Sequence, residues 1–304
     1  MSFLLPTDIK RQYDESGYVI ISNLIAPSEF TPLQDACTRV IEKTRNAEWM
    51  HRRTVGRQFP PFDTEKDVDI WGVQHVMHPD LGESAFINWY TSDNLTKVAT
   101  VLLDCKEEHL QMELFNLLIN PERGNFALRW HRDDVSEKAT EEDEIRALNV
   151  WHHGVQWNTA LYRDACLFIV PGSHKVQRTP EQRRHSECIT PPNDPGDMPG
   201  AMKVILEPGD TVFYNSNILH CAAYNCDEVR ATLHASIGDV RGGATRARNV
   251  LQHGLDWIKS KEFRRSIDSI ANDKVRSRAL TMWATLLKMQ ENADAEKLGY
   301  SLSN

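Results

Sequence analysis

The sequence predicts a mainly β fold, with a sandwich or barrel core and helices added at both ends. Residues 110–240 hold short apolar or alternating segments that are separated by turn residues, without a helical pattern between them. Such a region favours a sandwich or barrel over a parallel βαβ sheet. Before and after it, apolar residues recur at helical spacing. We therefore expect one domain over residues 1–304, with its β core at about 110–240 and a helical C-terminal extension at about 245–304.

The N-terminal region alternates between helical and extended patterns. A short helix is expected to end near Gly17, followed by a β-branched strand at 18–21 and by a helix that runs to about Arg45. Residues 51–80 are rich in Pro, Asp and aromatic side chains, which is typical of an irregular loop over a pocket. A further helix is expected at 92–103.

The β region is divided by turn sequences such as Pro171-Gly172 and Pro208-Gly209. The expected strands lie at 110–120, 149–161, 165–170, 202–206, 211–214 and 231–237. The strongly charged stretch 134–146 is interpreted as an exposed excursion between strands. The C-terminal helices can pack on the core or form a dimer face, and we favour packing.

Composition limits the classes of partner. Of 304 residues, 40% are hydrophobic and 26% are charged, which is typical of a globular protein. The net charge of −8 argues against nucleic acid, whose binders present a basic face. The opening residues do not have the pattern of a secretory leader, and the apolar stretches are short for a bilayer, so we expect neither a leader nor a membrane span. None of the six cysteines forms a C-x-x-C pair. We expect no membrane association and a cytoplasmic location, with a peroxisomal one left open although the chain does not end in Ser-Lys-Leu.

Three residues form a candidate metal site. A ferrous site for oxygen chemistry needs ligands on one face of an octahedron, and two imidazoles with one carboxylate supply them. If His131 ends a strand and Asp133 lies just past it, the period of two puts both side chains on one face. His220 follows the expected strand 211–214 and precedes a hairpin sequence at 225–228. The sequence therefore predicts a metal site at His131, Asp133 and His220.

Arg230 is a candidate for binding a second component of the site. It stands ten residues after His220, at the start of the return strand 231–237. A guanidinium matches a carboxylate with two parallel hydrogen bonds and stays charged at working pH. An inward Arg230 would therefore suit the distal carboxylate of a keto-acid cosubstrate.

Each of these features also has a simpler interpretation. His220 alone is consistent with a core histidine, and Arg230 alone with a surface charge. A second H-x-D, His78-Pro79-Asp80, is interpreted as a loop because it lies in an irregular segment with Pro at its centre. Three further histidines are open as competing ligands: His152, His153 and His174. The order of the motifs, their strand context and the His-to-Arg interval together favour the metal site.

Several segments resemble one known family. Residues 13–21, Tyr-Asp-Glu-Ser-Gly-Tyr-Val-Ile-Ile, are similar to its N-terminal start, and Cys-Leu-Phe-Ile-Val-Pro-Gly-Ser-His-Lys at 166–175 is similar to its most specific motif. Pro-Gly-Asp at 208–210 and Arg230 fit as well. Over roughly residues 10–245 the chain resembles the phytanoyl-CoA dioxygenase family of Fe(II)/2-oxoglutarate-dependent oxygenases.

The resemblance implies a double-stranded β-helix, which is a jelly-roll or cupin-like core. It implies that His131, Asp133 and His220 bind Fe(II), and that Arg230 binds the C5 carboxylate of 2-oxoglutarate, with O2 as the other cosubstrate. The implied reaction is oxidation of a C–H bond, by default hydroxylation, with succinate and CO2 as coproducts. Desaturation, epoxidation and rearrangement would use the same residues.

The resemblance also implies further cosubstrate contacts. Trp157 is similar to a family tryptophan near the cosubstrate, and Asn116 is expected to touch cosubstrate or substrate, although both also fit structural roles. Where some members have a serine after the last ligand this chain has Ala222, so Thr232 is expected to supply the hydroxyl. The approach to the specific motif, residues 162–165, departs from the family pattern.

Two alternatives to an oxygenase stay open. One is a catalytically inactive jelly-roll binding module, and the other is a zinc-dependent hydrolase that uses the same three ligands. The retained ligands and Arg230 argue against the first, and the lack of an H-E-x-x-H or comparable signature argues against the second. The expected partner is a small-molecule substrate of unknown identity, and a homodimer is left open.

Overall fold

The computed structural model describes residues 5–188 and 190–293, apart from the side chain of Ala244. The strands are β1 (Tyr18–Ile21), β2 (Arg52–Thr54), β3 (Ile70–Val73), β4 (Leu110–Ile119), β5 (Phe126–Ala127), β6 (Gly154–Ala160), β7 (Leu167–Val170), β8 (Met202–Lys203), β9 (Thr211–Tyr214), β10 (Leu219–Tyr224) and β11 (Ala231–Asp239). The α-helices are α1 (Pro6–Ser16), α2 (Pro27–Arg45), α3 (Ser84–Tyr90), α4 (Asp93–Leu103), α5 (Glu141–Leu148), α6 (Pro180–Ser186), α7 (Gly243–Leu251), α8 (Lys261–Asp268) and α9 (Asp273–Asn292).

The strands form two antiparallel sheets. The larger sheet has the order β1-β9-β6-β11-β4-β3-β2, and the smaller has the order β5-β10-β7-β8. Apolar side chains of both sheets pack together between them, including Leu167 and Ile169 of β7 with Val212 of β9. Two facing antiparallel sheets form the jelly-roll sandwich. The predicted mainly β fold with helices at both ends is confirmed.

The helices α1 to α4 and α7 to α9 cover the outer face of the larger sheet. Apolar residues of all the longer helices join one core with residues of this sheet, among them Phe115, Trp157 and Phe213. On β6 the alternation of strand side chains sends Trp157 into this core, while its neighbours Gln156 and Asn158 line a cavity on the inner face. The larger sheet therefore has an apolar helix-covered face and a more polar face toward the cavity.

The N-terminal elements follow from the local sequence. Pro6 begins α1, where its missing N–H costs no hydrogen bond, and Gly17 ends the helix with a left-handed φ of 79°. The β-branched residues of β1 then pair with β9 at the edge of the larger sheet. The bounds of β1, of α2 and of α4 agree with the sequence-based expectation.

Other parts of the expectation need correction. Residues 51–80 contain the strands β2 and β3, which are too short for their alternation to stand out. The β region is also interrupted by α5 and α6. The charged excursion is only partly exposed, because Glu144 of α5 is fully buried. Its carboxylate lies among three guanidinium groups, those of Arg132, Arg178 and Arg183.

Among the helices of the described residues, none combines the length and the apolar character needed to cross a bilayer.

Candidate metal centre

His131 and His220 lie directly opposite each other in an antiparallel bridge. The backbone N–H of His131 donates to the carbonyl oxygen of His220 at 2.9 Å, and the reverse bond measures 3.0 Å. Opposed residues of an antiparallel pair project their side chains to the same face. Between this bridge and the pair Ala127–Ala223, the chain segment that leads to His131 has one residue more than the segment opposite it. One extra residue on one side of an antiparallel pair is a β-bulge. The two imidazole rings are 4.1 Å apart between centroids.

Asp133 completes the group. Its backbone N–H donates to the carbonyl oxygen of Ser216 at 2.9 Å, which holds the residue against the chain just before β10. Its Oδ1 atom lies 3.5 Å from Nε2 of His131 and 3.7 Å from Nε2 of His220. The three candidate ligand atoms lie within 4.8 Å of one another, so the structure brings the three predicted residues together.

The imidazoles are oriented by backbone carbonyl groups. Nδ1 of His131 lies 2.9 Å from the carbonyl oxygen of Arg129, and Nδ1 of His220 lies 2.8 Å from that of Ile218. A carbonyl oxygen can only accept, so Nδ1 of His220 carries the proton and its Nε2 presents a lone pair. Nδ1 of His131 lies between the Arg129 carbonyl oxygen and the side-chain nitrogen of Gln58, which is also 2.9 Å away, and these two contacts hold the ring in place. Burial, together with the nearby His131, lowers the pKa of His220 to about 4, which keeps its ring neutral at neutral pH.

The Asp133 carboxylate is held from its other side by Gln156. Nε2 of Gln156 donates to Oδ2 of Asp133 at 2.7 Å, which leaves Oδ1 directed at the two imidazoles. Burial alone would raise the pKa of Asp133, but His220, His131 and the Gln156 hydrogen bond outweigh it and keep the pKa below its usual value. Three potential ligand atoms therefore face one point, which is the arrangement that a metal site requires.

The guanidinium of Arg230 lies at one end of the same cavity. Its Nε donates to Oδ2 of Asp164 at 2.9 Å, and its Cζ lies 4.6 Å from the ring centroid of Tyr224. Its Nη1 and Nη2 atoms are buried and have no hydrogen-bond partner. A buried guanidinium with two open donors in a fork fits an incoming carboxylate.

Thr232 supports this arrangement indirectly. Its hydroxyl donates to the same Oδ2 of Asp164 that accepts from Arg230, and the residue is fully buried without lining the cavity. The structure therefore makes Thr232 a partner of Asp164, which differs from the expected direct contact with the cosubstrate. Asp164 itself is a positioning residue that was not predicted; it lies in the loop 162–165, where the chain departs from the family pattern.

The two remaining predicted contacts are not brought to the cavity. Trp157 is fully buried on the helix-covered face, with its ring 5.6 Å from that of Tyr90 and 6.1 Å from that of Phe213. The prediction chose the wrong member of an alternating pair, since Gln156 next to it reaches the site. Asn116 does not line the cavity either: its Oδ1 accepts from the backbone N–H of His75 at 3.0 Å.

The competing histidines lie elsewhere. Nδ1 of His78 accepts from the backbone N–H of Asp80 at 3.1 Å and caps a 3-10 turn, in agreement with a loop. His174 contacts the carbonyl oxygen of Asp14 at 3.1 Å, and His152 and His153 stand beside other carboxylates. Across the part of the chain that the structure describes, His131, Asp133 and His220 form the one cluster of potential metal ligands.

The cavity around these residues has a volume of about 150 Å³. Its walls combine apolar side chains of the 51–80 segment, such as Phe59 and Phe62, with polar groups of β6 and β11. Side chains of α7, beyond the β core, close another part of it. A cavity between two sheets with apolar walls and a few converging polar groups is typical of a small-molecule site.

Comparison with known proteins is consistent with this geometry. The family model for phytanoyl-CoA dioxygenase (PhyH) matches residues 13–228, which is more than two thirds of the chain. The chain belongs to this family. It is therefore an oxidoreductase of the dioxygenase type, and the family and enzyme class expected from the sequence are confirmed. No curated protein matches the sequence.

Solved structures share the fold. AviO1 from Streptomyces viridochromogenes Tue57 is 17% identical with a TM-score of 0.56, over 79% of this chain and 97% of its own. EctD from S. alaskensis, solved with 2-oxoglutarate and 5-hydroxyectoine, is 16% identical with a TM-score of 0.54, over 77% and 76%. The α-ketoglutarate-dependent carbocyclase SnoK from nogalamycin biosynthesis is 21% identical with a TM-score of 0.52, over 79% and 88%. At such identities these similarities establish the jelly-roll fold.

Proposed function

We propose that this protein is an Fe(II)/2-oxoglutarate-dependent dioxygenase that hydroxylates a C–H bond of a small organic molecule, with succinate and CO2 as coproducts. The observation that carries the proposal is the acceptor cluster of His131, Asp133 and His220 in one cavity with the open donors of Arg230. Iron(II) bound with 2-oxoglutarate and O2 supplies the oxidising chemistry that breaks such a bond.

The chain's own residues would hold the components in place. Two imidazoles and one carboxylate match the facial set preferred by ferrous iron in oxygenases. The Nη1 and Nη2 donors of Arg230 would bind the far carboxylate of 2-oxoglutarate, while Asp164 fixes the guanidinium through Nε. Both groups are preorganised, because their positioning partners are already bonded in the structure.

Two other features support catalysis. Gln156 holds one oxygen of Asp133, so the other oxygen can stay directed at the metal. The apolar side chains of Phe59, Phe62 and Trp71 line the cavity and would exclude water from the reacting groups. Because Asp133 occupies the third ligand position, hydroxylation is favoured over halogenation, which would need that position for a halide.

The reaction is tested by supplying the purified protein with Fe(II), 2-oxoglutarate and O2, and by measuring succinate. The expected result is succinate formation by the wild type and its loss in Asp133→Ala. Asp80→Ala is the matched control, because it removes the aspartate of the other H-x-D, which lies outside the cluster. In mixtures of small metabolites, the substrate is expected to gain one oxygen atom by mass. Turnover with Zn(II), but none with Fe(II) and 2-oxoglutarate, would contradict the proposal and favour a hydrolase.

We also propose a reducing, cytoplasmic environment and a small-molecule substrate. All six cysteines are free thiols in the structure, as expected for a reducing compartment. The cavity volume of about 150 Å³ supports a small substrate. Fractionation of the source cells with an antibody against the protein would test the location.

A further inference from the structure

A second buried arginine lines the cavity, apart from the proposed 2-oxoglutarate site. Arg246 belongs to α7, which lies beyond the family match ending at residue 228. Its side chain is 4% exposed and forms a forked ion pair with Glu113 of β4. Nε donates to Oε1 of Glu113 at 2.7 Å, and Nη2 donates to Oε2. The remaining terminal nitrogen, Nη1, is buried and has no hydrogen-bond partner.

The larger sheet makes room for this ion pair with two glycines. Gly154 of β6 and Gly238 of β11 are directly paired across the strands. A Cβ atom at Gly154 would overlap the Arg246 guanidinium, and one at Gly238 would overlap the Glu113 carboxylate. Glycine within a strand weakens the sheet, and it commonly marks a position that another group approaches closely. The space left by the two missing side chains allows the ion pair of Arg246 and Glu113 to lie against the sheet, where Arg246 lines the metal cavity.

Leaving Nη1 of Arg246 without a hydrogen-bond partner costs free energy, and a bound ligand that accepts a hydrogen bond would remove this cost. A buried donor without a partner loses its hydration and regains nothing. Glu113 occupies Nε and Nη2 of Arg246, so Nη1 is the nitrogen of this guanidinium that is left to donate to a ligand. Asn249 and Gln252, one and about two turns further along the chain, line the same cavity. This wall of the cavity is therefore polar, in contrast to the aromatic wall from residues 59–71.

The charge around Arg246 defines what it can bind. Glu113 already compensates the guanidinium, and Asp133 and Asp134 lie near enough to interact with it. A carboxylate or phosphate of the substrate would enter a region whose positive charge is already balanced. A neutral oxygen needs only a donor, and a hydrogen bond from a charged donor is stronger than one from a neutral donor.

We propose that Arg246 is a specificity-determining residue whose Nη1 donates to a neutral oxygen of the substrate, such as a carbonyl, ether or hydroxyl oxygen. The proposal rests on the proposed function, since it places the substrate between Arg246 and the metal ligands. It assigns substrate recognition to α7, outside the family match. An oxygen-bearing substrate would then have its polar end at α7 and its apolar surface against the aromatic wall.

The test uses three matched probes: cyclohexanone, methylenecyclohexane and cyclohexanecarboxylate. Their affinities are measured by ligand-observed NMR on the full-length protein with Zn(II) and saturating 2-oxoglutarate, so that Arg230 is already occupied and no turnover is needed. The wild type is expected to bind the ketone about tenfold more tightly than the alkene, which is the effect of one hydrogen bond to a charged donor. The carboxylate is expected to bind no more tightly than the ketone.

Arg246→Lys is the decisive variant, because it keeps a positive charge opposite Glu113 but lacks Nη1. It is expected to remove the preference for the ketone, whereas Arg248→Lys, at an exposed position on the same helix, is expected to keep it. If Arg246→Lys does not fold, the charge-neutral pair Glu113→Gln with Arg246→Met serves the same purpose. A ketone preference that survives these changes, or a wild type that prefers the carboxylate or shows no preference, would overturn the proposal. A separate titration with 2-oxoglutarate reports on the proposed function alone.

Discussion

Gln156 offers a sensitive test of how the metal centre is built, because it touches a ligand without being one. Its Nε2 donates to Oδ2 of Asp133 at 2.7 Å. Gln156→Met removes this donor while nearly keeping the length of the side chain. A hydrogen bond to a charged group contributes about 1.5–3 kcal/mol, and the loss of such an outer contact typically weakens metal binding about 10- to 100-fold. We expect the Kd for Fe(II) to rise by this factor.

The assay is an anaerobic titration of Fe(II) against a competing chelator, with circular dichroism to confirm that the variant is folded. Thr159→Val is the matched control. Thr159 is buried on the same strand and shares a 2.7 Å hydrogen bond with Thr211, but it faces away from the metal centre. The reasoning is refuted if folded Gln156→Met binds Fe(II) within twofold of the wild type, or if Thr159→Val weakens binding equally.

Three further changes probe other parts of the structure. Arg230→Lys keeps a charge opposite Asp164 but loses the planar fork of the guanidinium. Calorimetry should therefore show that the variant binds 2-oxoglutarate at least about tenfold more weakly, while its affinity for Fe(II) is unchanged. Equal affinity of variant and wild type for 2-oxoglutarate would count against the assignment. Glu144→Gln leaves the buried Arg132 and Arg178 without a counter-charge. Urea unfolding should therefore show a loss of about 3–5 kcal/mol, whereas a loss below about 1 kcal/mol would contradict this. Burial, followed by the charges of the neighbouring histidines, lowers the pKa of His75 from 6.5 to about 3. The neutral His75 ring therefore contributes fully to the free energy of unfolding above pH 6.5, and this contribution declines as the pH falls toward 3. Asparagine tolerates the left-handed backbone at this position, so His75→Asn is a suitable variant. Between pH 6 and pH 4 the unfolding free energy of the variant should fall less steeply than that of the wild type, by about 1.4 kcal/mol per pH unit. An unchanged slope would show that His75 is not the titrating group.

The sequence contained enough information for the fold and for the convergence of three ligand side chains. Strand β1 is a run of β-branched and aromatic residues between a helix-ending glycine and a loop, and such local signals need no tertiary context. His131 and Asp133 stand two residues apart after a strand-like segment, so their shared face follows from strand geometry. His220 required only that a distant strand end at the same edge of the sheet.

The remaining site residues depended on which face of a strand each side chain takes. The segment Gln156-Trp157-Asn158 alternates between polar and apolar side chains. On a buried strand, this alternation predicts that the two polar side chains face the cavity and that the tryptophan faces the core. The family resemblance drew attention to Trp157 instead. Strand alternation was therefore the better guide at this position.

Some features were beyond the reach of a single sequence. Asp164 lies in a loop, and its role appears only when Arg230 and Thr232 arrive from a strand 66 or more positions later. Glu144 belongs to a charged stretch of the kind that is usually solvated, and only the arginines that converge on it from other segments explain its burial. Long-range pairing of charges leaves no periodic pattern that a sequence window could detect.

The most direct test of the metal centre is the absorption spectrum of the anaerobic protein after addition of Fe(II) and then of 2-oxoglutarate. The account predicts a metal-to-ligand charge-transfer band in the wild type and its absence in His131→Ala, in Asp133→Ala and in His220→Ala. A band that persists in all three variants would show that the cofactors bind elsewhere, and the proposed centre would be wrong.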